Sequence, residues 1–363
     1  MLKYLTPIIL FAHGFIHIIG FAKAFNYANV TQLTKEISKP NGMLWLLTAT
    51  LFTVAGVLCL LKKESWVYLA FIAIVSSQVL IIYVWQDAKF GTVLNVIILL
   101  VAIASWSTYF FEWKFKADAK NGIEQTNIAG NTLLTDADIS YLPAPVKKYI
   151  RYAGVIGKEK VKNMKIIFNG EMRDKGKPFF KFNTVQYNFF NNPTRLFFMK
   201  AKMHGITVPI YHCYKNSTAT MQVKLFGLFN VVNVKGNEMN KAETVTVFND
   251  MCLMAPASLI DKRIVWTAID NLSAQATFTN GINKIAATLY FNEQGQLINF
   301  ISDDRYAVNE MKQYRFSTPV KNYIQIDGRN IIQYGETVWH YPEGEFVYGK
   351  FTLKSIEYNV KEL

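Results

Sequence analysis

The sequence predicts a membrane α-helical bundle of four spans, followed by a mainly β (α+β) domain. The β domain is expected to be one large curved antiparallel sheet, a half-barrel or open barrel, with a few helices. Three observations carry this. Four long apolar runs follow one another between Leu5 and Phe111 with barely a charge inside them. From Lys114 onward the chain changes to short alternating segments broken by Gly, Asn and Asp. The charge changes at the same place: 7 Lys and Arg against 4 Asp and Glu before Lys114, then 32 against 22. The resulting division is 1–113 for the spans, 114–135 for a linker and 136–363 for the β domain.

The four runs are Leu5–Phe25, Gly42–Leu61, Trp66–Trp85 and Gly91–Phe111. Each is close to the roughly 20 residues that cross a hydrocarbon core. Trp45, Trp66, Tyr68, Trp85, Trp106 and Tyr109 fall mainly near run ends, as an interfacial belt does. The first run contains two histidines and no small-x-small cleavage pattern, so it does not read as a signal peptide. Four spans put both ends of the chain on one side. Lys3, Lys62, Lys63, Lys114, Lys116 and Lys120 mark that side, against Lys23, Lys35, Lys39 and Lys89 on the other. The bias favours a cytoplasmic β domain. His13 and His17 share one helix face, and Gly14 and Gly20 permit close helix contact. Ionisable residues at membrane depth are functional candidates, for a metal, a haem or a proton. The plain alternative is hydrogen bonding to Ser76, Ser77, Gln78 or Asn95. The turn Trp85–Asn95 carries Asp87 and Lys89 at the interface.

After the linker, Leu142–Gly154 reads as a short helix with Pro145 in its first turn and Gly154 as its C-terminal cap. Val146, Tyr149, Ile150 and Ala153 make its apolar face, which suits docking on the sheet. From Val161 to Val360 nearly everything reads as strand, in fourteen segments from Lys162–Arg173 to Phe346–Tyr358. Asp327-Gly328, Glu293–Gln296 and Pro342–Gly344 suit hairpin connections. The one interruption, Asn240–Ile260, reads as helix broken by Pro256. So many consecutive strands must curl.

Phe and Met crowd neighbouring strands of this sheet. Rigid rings beside flexible thioethers can line an adaptable apolar cavity, or can simply pack the core. Phe197, Phe198, Met199, Met203 and Trp339 are the candidate lining. Arg195 and Arg305 are the candidate contacts for a phosphate or other headgroup. The basic balance fits anionic membrane lipids. Nucleic acid is ranked lower, because the lysines form no arm or recognition helix. Three cysteines without CxxC or His spacing give no zinc pattern, and Cys213 and Cys252 read as two buried free thiols, with one disulfide as the alternative. No cofactor motif is present. Glu171, Asp304, Glu336 and His340 are weak catalytic candidates. His204 and His212 lie in adjacent strands but lack a third metal ligand.

From Leu142-Pro-Ala-Pro-Val-Lys-Lys-Tyr149 the chain resembles an uncharacterised bacterial family, a domain of unknown function. The landmarks continue through Gly170-Glu-Met-Arg173, Asn192-Pro-Thr-Arg195, Ala255-Pro-Ala257, Trp266 with Asp270, Gly295, Asp304-Arg305, Gly328, Gly335-Glu-Thr-Val-Trp339 and Tyr348. They cover most of Leu142–Asn359. His13-Gly-Phe-Ile-His17 and Trp85-Gln-Asp-Ala-Lys-Phe-Gly-Thr92 look like the four-span extension of some members. The resemblance implies a bacterial protein of the inner membrane, and no activity. Phe197-Phe198 and Tyr314-Arg315 stand where such sequences often carry Trp, so a pocket here is expected to differ in shape. A further fold-level similarity is to the curved-sheet carriers of bacterial lipoproteins.

These readings lead to three functional expectations. The first is a membrane-tethered module that binds a lipid or other apolar ligand near the bilayer. The second is an enzyme acting on a membrane-bound substrate. The third is a sensor or redox protein using His13 and His17.

Overall fold

The computed structural model describes residues 2–126, 130, 132–203, 205–308 and 310–363. His204 lies outside the described residues. The chain forms two compact units, one of Met1–Phe111 with Phe226–Leu228, the other of Glu112–Leu225 with Phe229–Leu363.

The first unit is helical: α1 Leu2–Ala24, α2 Lys39–Leu60, α3 Trp66–Tyr83, a single turn α4 Trp85–Ala88, and α5, which starts at Gly91. The four longer helices are each long and apolar enough to cross a membrane. Their packed core is small-residue-rich, with Ala55, Ala70, Ala73 and Ala102 beside Leu10, Phe52, Val67 and Ile98. Phe15, Ile8, Val75, Val79 and Leu100 point outward. Apolar outside and close-packed inside is the pattern a lipid solvent selects. The two glycines of α1 act as expected. A Cβ on Gly20 would stand 2.1 Å from the Trp45 ring, and one on Gly14 would stand 3.0 Å from the Ala49 carbonyl oxygen. α1 and α2 pack closely only because both lack one.

α5 runs from Gly91 to Thr126, so residues 114–126, expected as linker, are helix. Polarity misled the reading. Lys116–Glu112 and Lys120–Glu124 are i,i+4 pairs on an exposed face. Phe115, Ala119 and Ile123 repeat on the opposite, buried face. Phe115 packs on Phe198, Tyr187 and Tyr211 of the sheet.

The second unit is built on the sheet. After α6 (Ala144–Tyr152) come β1 Asn163–Met172, β2 Phe180–Phe189, β3 Thr194–Met203, β4 Ile206–Lys215, β5 Thr218–Leu225 and β6 Phe229–Lys235. Helix α7 (Asn237–Met254) and a 3-10 turn (Pro256–Ile260) follow. The chain then forms β7 Ile264–Ala268, β8 Ser273–Asn280, β9 Asn283–Phe291, β10 Leu297–Ser302, β11 Tyr306–Ala307 and β12 Lys312–Gln313. It ends with β13 Arg315–Ser317, β14 Val320–Ile326, β15 Arg329–Tyr341 and β16 Gly344–Tyr358. The order across the sheet is β6-β5-β4-β3-β2-β1-β16-β15-β13-β10-β9-β8-β7, with β14 paired to β15. All recorded pairings are antiparallel, for example Met164↔Tyr358 between β1 and β16. Among the described residues β6 and β7 do not meet, so the sheet of 14 strands stays open. Bulges at Ile167/Phe168, Val223/Lys224 and Thr337/Val338 add bend.

The predicted strand Glu310–Ser317 is two pieces. β12 pairs with β11 in a separate ribbon, and only β13 joins the main sheet. The three expected hairpin turns join β14 to β15, β9 to β10 and β15 to β16. Helix α6 docks with Val146, Tyr149, Ile150 and Ala153 buried among Phe248, Met251 and Leu259. Tyr149 donates its hydroxyl to the Cys252 carbonyl at 2.8 Å. Gly154 ends that helix at φ 67°, close against Gly328, where a side chain would clash. Cys59, Cys213 and Cys252 are all free thiols.

Candidate functional site

Strand alternation sorts the side chains of β3 by face. Phe198 turns toward α5, stacked on Phe115 at 5.3 Å between ring centroids. Arg195, Phe197, Met199 and Met203 turn to the other face, where α7 lies. Between α7 and this face is a cavity of about 790 Å³, within the range that takes drug-sized ligands. Met172, Phe180, Val208, Ile210, Met221 and Val223 form much of its wall, and Trp339, Tyr341, Phe346, Tyr348 and Phe351 another part. Of the residues read as ligand contacts, Arg195, Phe197, Met199, Met203, Arg305 and Trp339 line this cavity. Phe198 does not, because the two-residue period puts neighbours on opposite faces.

The two arginines differ in their partners. Arg195, with 8% of its side chain exposed, is enclosed by acids from α7. Its Nε donates to Asp250 Oδ2 at 2.8 Å, one guanidinium nitrogen donates to Glu243 Oε2 at 3.2 Å, and the other to Gln186 Oε1 at 3.1 Å. Gln186 and Asn188 also donate to Asp250. His212 sits with Nδ1 3.2 Å from Glu243 Oε1. Burial pushes the Glu243 carboxyl up, but Arg195 and the His212 contact more than offset it, holding it down at about 2. Asp250 has the same Arg195 beside it, yet burial wins there and its carboxyl is raised. Glu243 faces both Arg195 and His212, so it is the firmly ionised member. Each of the three nitrogens of Arg195 thus has an acceptor, using three of its five N–H donors. With two carboxylates at hand its charge is offset within the fold, which gives it a structural role beside the expected headgroup contact.

Arg305 is held differently. Its guanidinium carbon lies 4.1 Å from the Phe316 ring centroid, 5.1 Å from Trp339 and 5.9 Å from Tyr348. One terminal nitrogen donates to the Tyr348 hydroxyl at 2.5 Å. Its Nε is buried and has no acceptor. Among the described residues no carboxylate is within ion-pair distance of it; the neighbouring Asp304 binds Lys241 at 2.8 Å instead. Aromatic faces stabilise a guanidinium without neutralising it. Arg173, also on the wall, is similar: its Nε donates to the Val347 carbonyl, and it lies over the Phe179 and Phe346 rings at 4.4 and 4.9 Å.

The weak catalytic candidates do not converge. Glu171 pairs in register with Lys350, which pairs on its other side with Glu336, forming a cross-strand charge ladder. Glu336 also binds Lys321 at 3.2 Å and accepts from the Tyr334 hydroxyl. Asp304 accepts from the Ala286 backbone N–H at 2.7 Å. His340 sits between Ser317 at 2.8 Å and Glu345 at 3.4 Å. Chemically, His212 held by Glu243 is the better-placed imidazole, because it lines the cavity. Among the described residues the hydroxyls that line the cavity belong to Thr246, Thr318, Thr337 and tyrosines, and no Ser or Cys does. Among the described residues no group of three or more His, Cys, Asp or Glu stands close enough to hold a metal ion. Reading the sequence missed Glu243 and Asp250. Their spacing of seven, two helical turns, was the available signal that they share a face.

A search of curated proteins finds no match for the chain. Among solved structures it is similar to a LolA superfamily protein from Nitrosomonas europaea, with 9% identity and a TM-score of 0.34. That likeness covers 59% of this chain and 91% of the other. At that distance it bears on neither ligand nor partner. The family resemblance has a firmer counterpart, because a family model matches residues 132–351, which is more than half of the chain. The chain belongs to the family of unknown function DUF6544.

Proposed function

We propose that this is a membrane-anchored binding protein whose β domain holds a lipid or similar amphiphile, with the apolar body in the cavity and an anionic end at Arg305. The observation that carries the reading is the cavity of about 790 Å³, lined by Phe and Met and bearing an aromatic-boxed arginine without a carboxylate partner. The magnitudes divide the work. Burying an acyl chain yields about 0.8 kcal/mol per CH₂, so the wall supplies most of the affinity. A charged hydrogen bond adds about 1.5–3 kcal/mol and selects the headgroup. Arg173 lies on the same wall and extends the positive field.

Four helices of spanning length support an anchor in the inner membrane of a bacterium, and the lysine bias supports a cytoplasmic β domain. Membrane lipids are then the ligand source within reach. The direct experiment is native mass spectrometry of the detergent-purified full chain, followed by extraction and identification of what leaves it. An acyl species near one per chain, displaced by a fluorescent fatty acid, is the expected result. Clean protein that also fails to bind the fluorescent fatty acid would overturn the reading. A periplasm-only reporter fused after Leu363 should be inactive; activity would reverse the sidedness.

A further inference from the structure

The helical unit contains a second polar cluster, distinct from the cavity. His13 and His17 are each 1% exposed, and Trp45 is 3% exposed. The imidazole rings lie 4.8 Å apart at 84°, and His17 is 5.3 Å from the Trp45 ring. The hydrogen bonds determine which nitrogens carry protons. His17 Nδ1 is 2.9 Å from the His13 carbonyl oxygen, an acceptor, so Nδ1 must donate and Nε2 keeps its lone pair. His13 Nε2 is 2.9 Å from Asn95 Oδ1 and 3.2 Å from Ser77 Oγ, so it donates and Nδ1 keeps its lone pair. Asn95 in turn donates to Gln78 Oε1 at 3.1 Å, and Gln78 donates to Thr92 Oγ1 at 3.1 Å.

This leaves three buried atoms without a hydrogen bond: His13 Nδ1, His17 Nε2 and Trp45 Nε1. Two are acceptors and one is a donor. Each unmade bond costs about 1–3 kcal/mol in an apolar interior, so the cluster is built to hold something. A ligand that gives two hydrogen bonds and accepts one complements it, and water has that valence. A divalent metal fits poorly. The side chains that meet the pair from α2, α3 and α5 are Trp45, Phe52, Ser77 and Asn95, with Gln78 behind Asn95, and among the described residues no group of three or more His, Cys, Asp or Glu is close enough to hold a dication.

We propose that His13 and His17 form a proton-binding site in which one water bridges the two free ring nitrogens. The chain Asn95–Gln78–Thr92 links the pair to the first turn of α5. There the adjoining turn carries Asp87 and Lys89, while Lys23 and Lys39 lie at the matching ends of α1 and α2. These are the nearest charged positions along the four helices, so the pair takes up its proton from that end of the bundle. A proton taken up sits on one ring and is shared through the water with the other. That lowers the cost of burying the charge, and one proton per pair is the expected stoichiometry.

The test is ¹⁵N-histidine NMR of the full chain in lipid nanodiscs, with His13→Gln and His17→Gln providing the assignments. At high pH, His13 should be the Nε2–H tautomer and His17 the Nδ1–H tautomer, both in contact with water. On lowering pH from about 8 to about 4, past the unperturbed imidazole range, the two signals should move together as one proton is bound. Asn95→Leu should speed proton exchange at His13 by about tenfold, as losing one ordinary hydrogen bond implies, while circular dichroism reports the helices intact. Independent titration of the two rings, or no water contact, would overturn the proposal. So would a Trp45 N–H bonded directly to His17, or exchange unchanged in Asn95→Leu.

Discussion

Arg195 and Arg305 line one cavity and read alike in the sequence, yet they stand in opposite surroundings. Around Arg195, α7 brings Glu243 and Asp250 and a neighbouring strand brings Gln186, so each of its three nitrogens has an acceptor and its charge has counter-ions. Around Arg305 the strands supply Phe316, Trp339 and Tyr348, and among the described residues no carboxylate is within ion-pair distance. The difference teaches that a buried cation is a binding element only where the fold withholds its counter-ion. On the proposed reading, the cavity holds one arginine that fixes its shape and another that meets its ligand.

The sharpest way to break the comparison is to remove each arginine in turn. Arg195→Ala leaves two buried carboxylates without their cation, and breaking such a pair costs about 3–5 kcal/mol. Urea unfolding followed by tryptophan fluorescence should show that loss whether or not ligand is present. An unchanged midpoint would mean that Glu243 and Asp250 do not depend on Arg195. Phe198→Ala should cost about 3 kcal/mol through lost packing on Phe115, near the low end for a buried ring, while ligand binding survives. Its neighbour is the control. Phe197→Ala should weaken binding of a fluorescent fatty acid as well, since Phe197 is on the cavity face. Equal effects of both on binding would refute the assignment of faces.

Arg305→Ala should invert the Arg195 result. Stability should change by less than about 1 kcal/mol, because Arg305 makes no direct ion pair and Glu243 keeps Arg195 and His212. Affinity for a carboxylate- or phosphate-headed amphiphile should fall by about 1.5–3 kcal/mol. A neutral ligand of the same chain length should be insensitive, and isothermal titration with the two ligands reads the contrast. Equal losses for both would mean that Arg305 acts by shape alone.

How much of this was readable beforehand follows the physics of each signal. Period-two alternation and turn chemistry are local, so the antiparallel meander and its open, curled form were accessible from Val161 onward. The family landmarks had the same standing. Residues 114–126 failed for a local reason: an amphipathic helix with i,i+4 ion pairs has the composition of a linker, and only the spacing of Phe115, Ala119 and Ile123 distinguishes them. The fate of Arg195 was not accessible, since its partners lie 48 and 55 residues away in sequence and meet it only through the docking of α7. The aromatic box of Arg305 comes from three strands whose register no local pattern supplies.

A smaller effect sharpens the Arg195 side through pH. Glu243 is held at about 2, below its usual value near 4.5. A depressed folded-state value means the stabilisation is fully present above about pH 4.5 and disappears as pH falls toward about 2. Glu243→Gln should therefore flatten the acid limb of a stability–pH curve in that window, measured by chemical denaturation at fixed salt. An acid limb identical to the parent's would place the ionised partner of Arg195 on Asp250 instead.

The smallest effect is expected on the charge ladder Glu171–Lys350–Glu336. Register brings these residues side by side on three strands, and Glu336 is further held by Lys321 and Tyr334. Burial alone would raise the Glu336 carboxyl; Tyr334 and Lys321 outweigh it and keep it below the usual range. Such depression also marks some catalytic carboxylates, so the ladder is where an enzymatic reading has its last foothold. Exposed ion pairs of this kind contribute about 0–1 kcal/mol and screen with salt. Glu171→Gln and Glu336→Gln should each shift stability within that range, less at high salt, and leave ligand binding unchanged. If either one abolished turnover of a bound amphiphile while leaving its affinity intact, the ladder would be chemistry and the contrast between the two arginines would describe only half of the site.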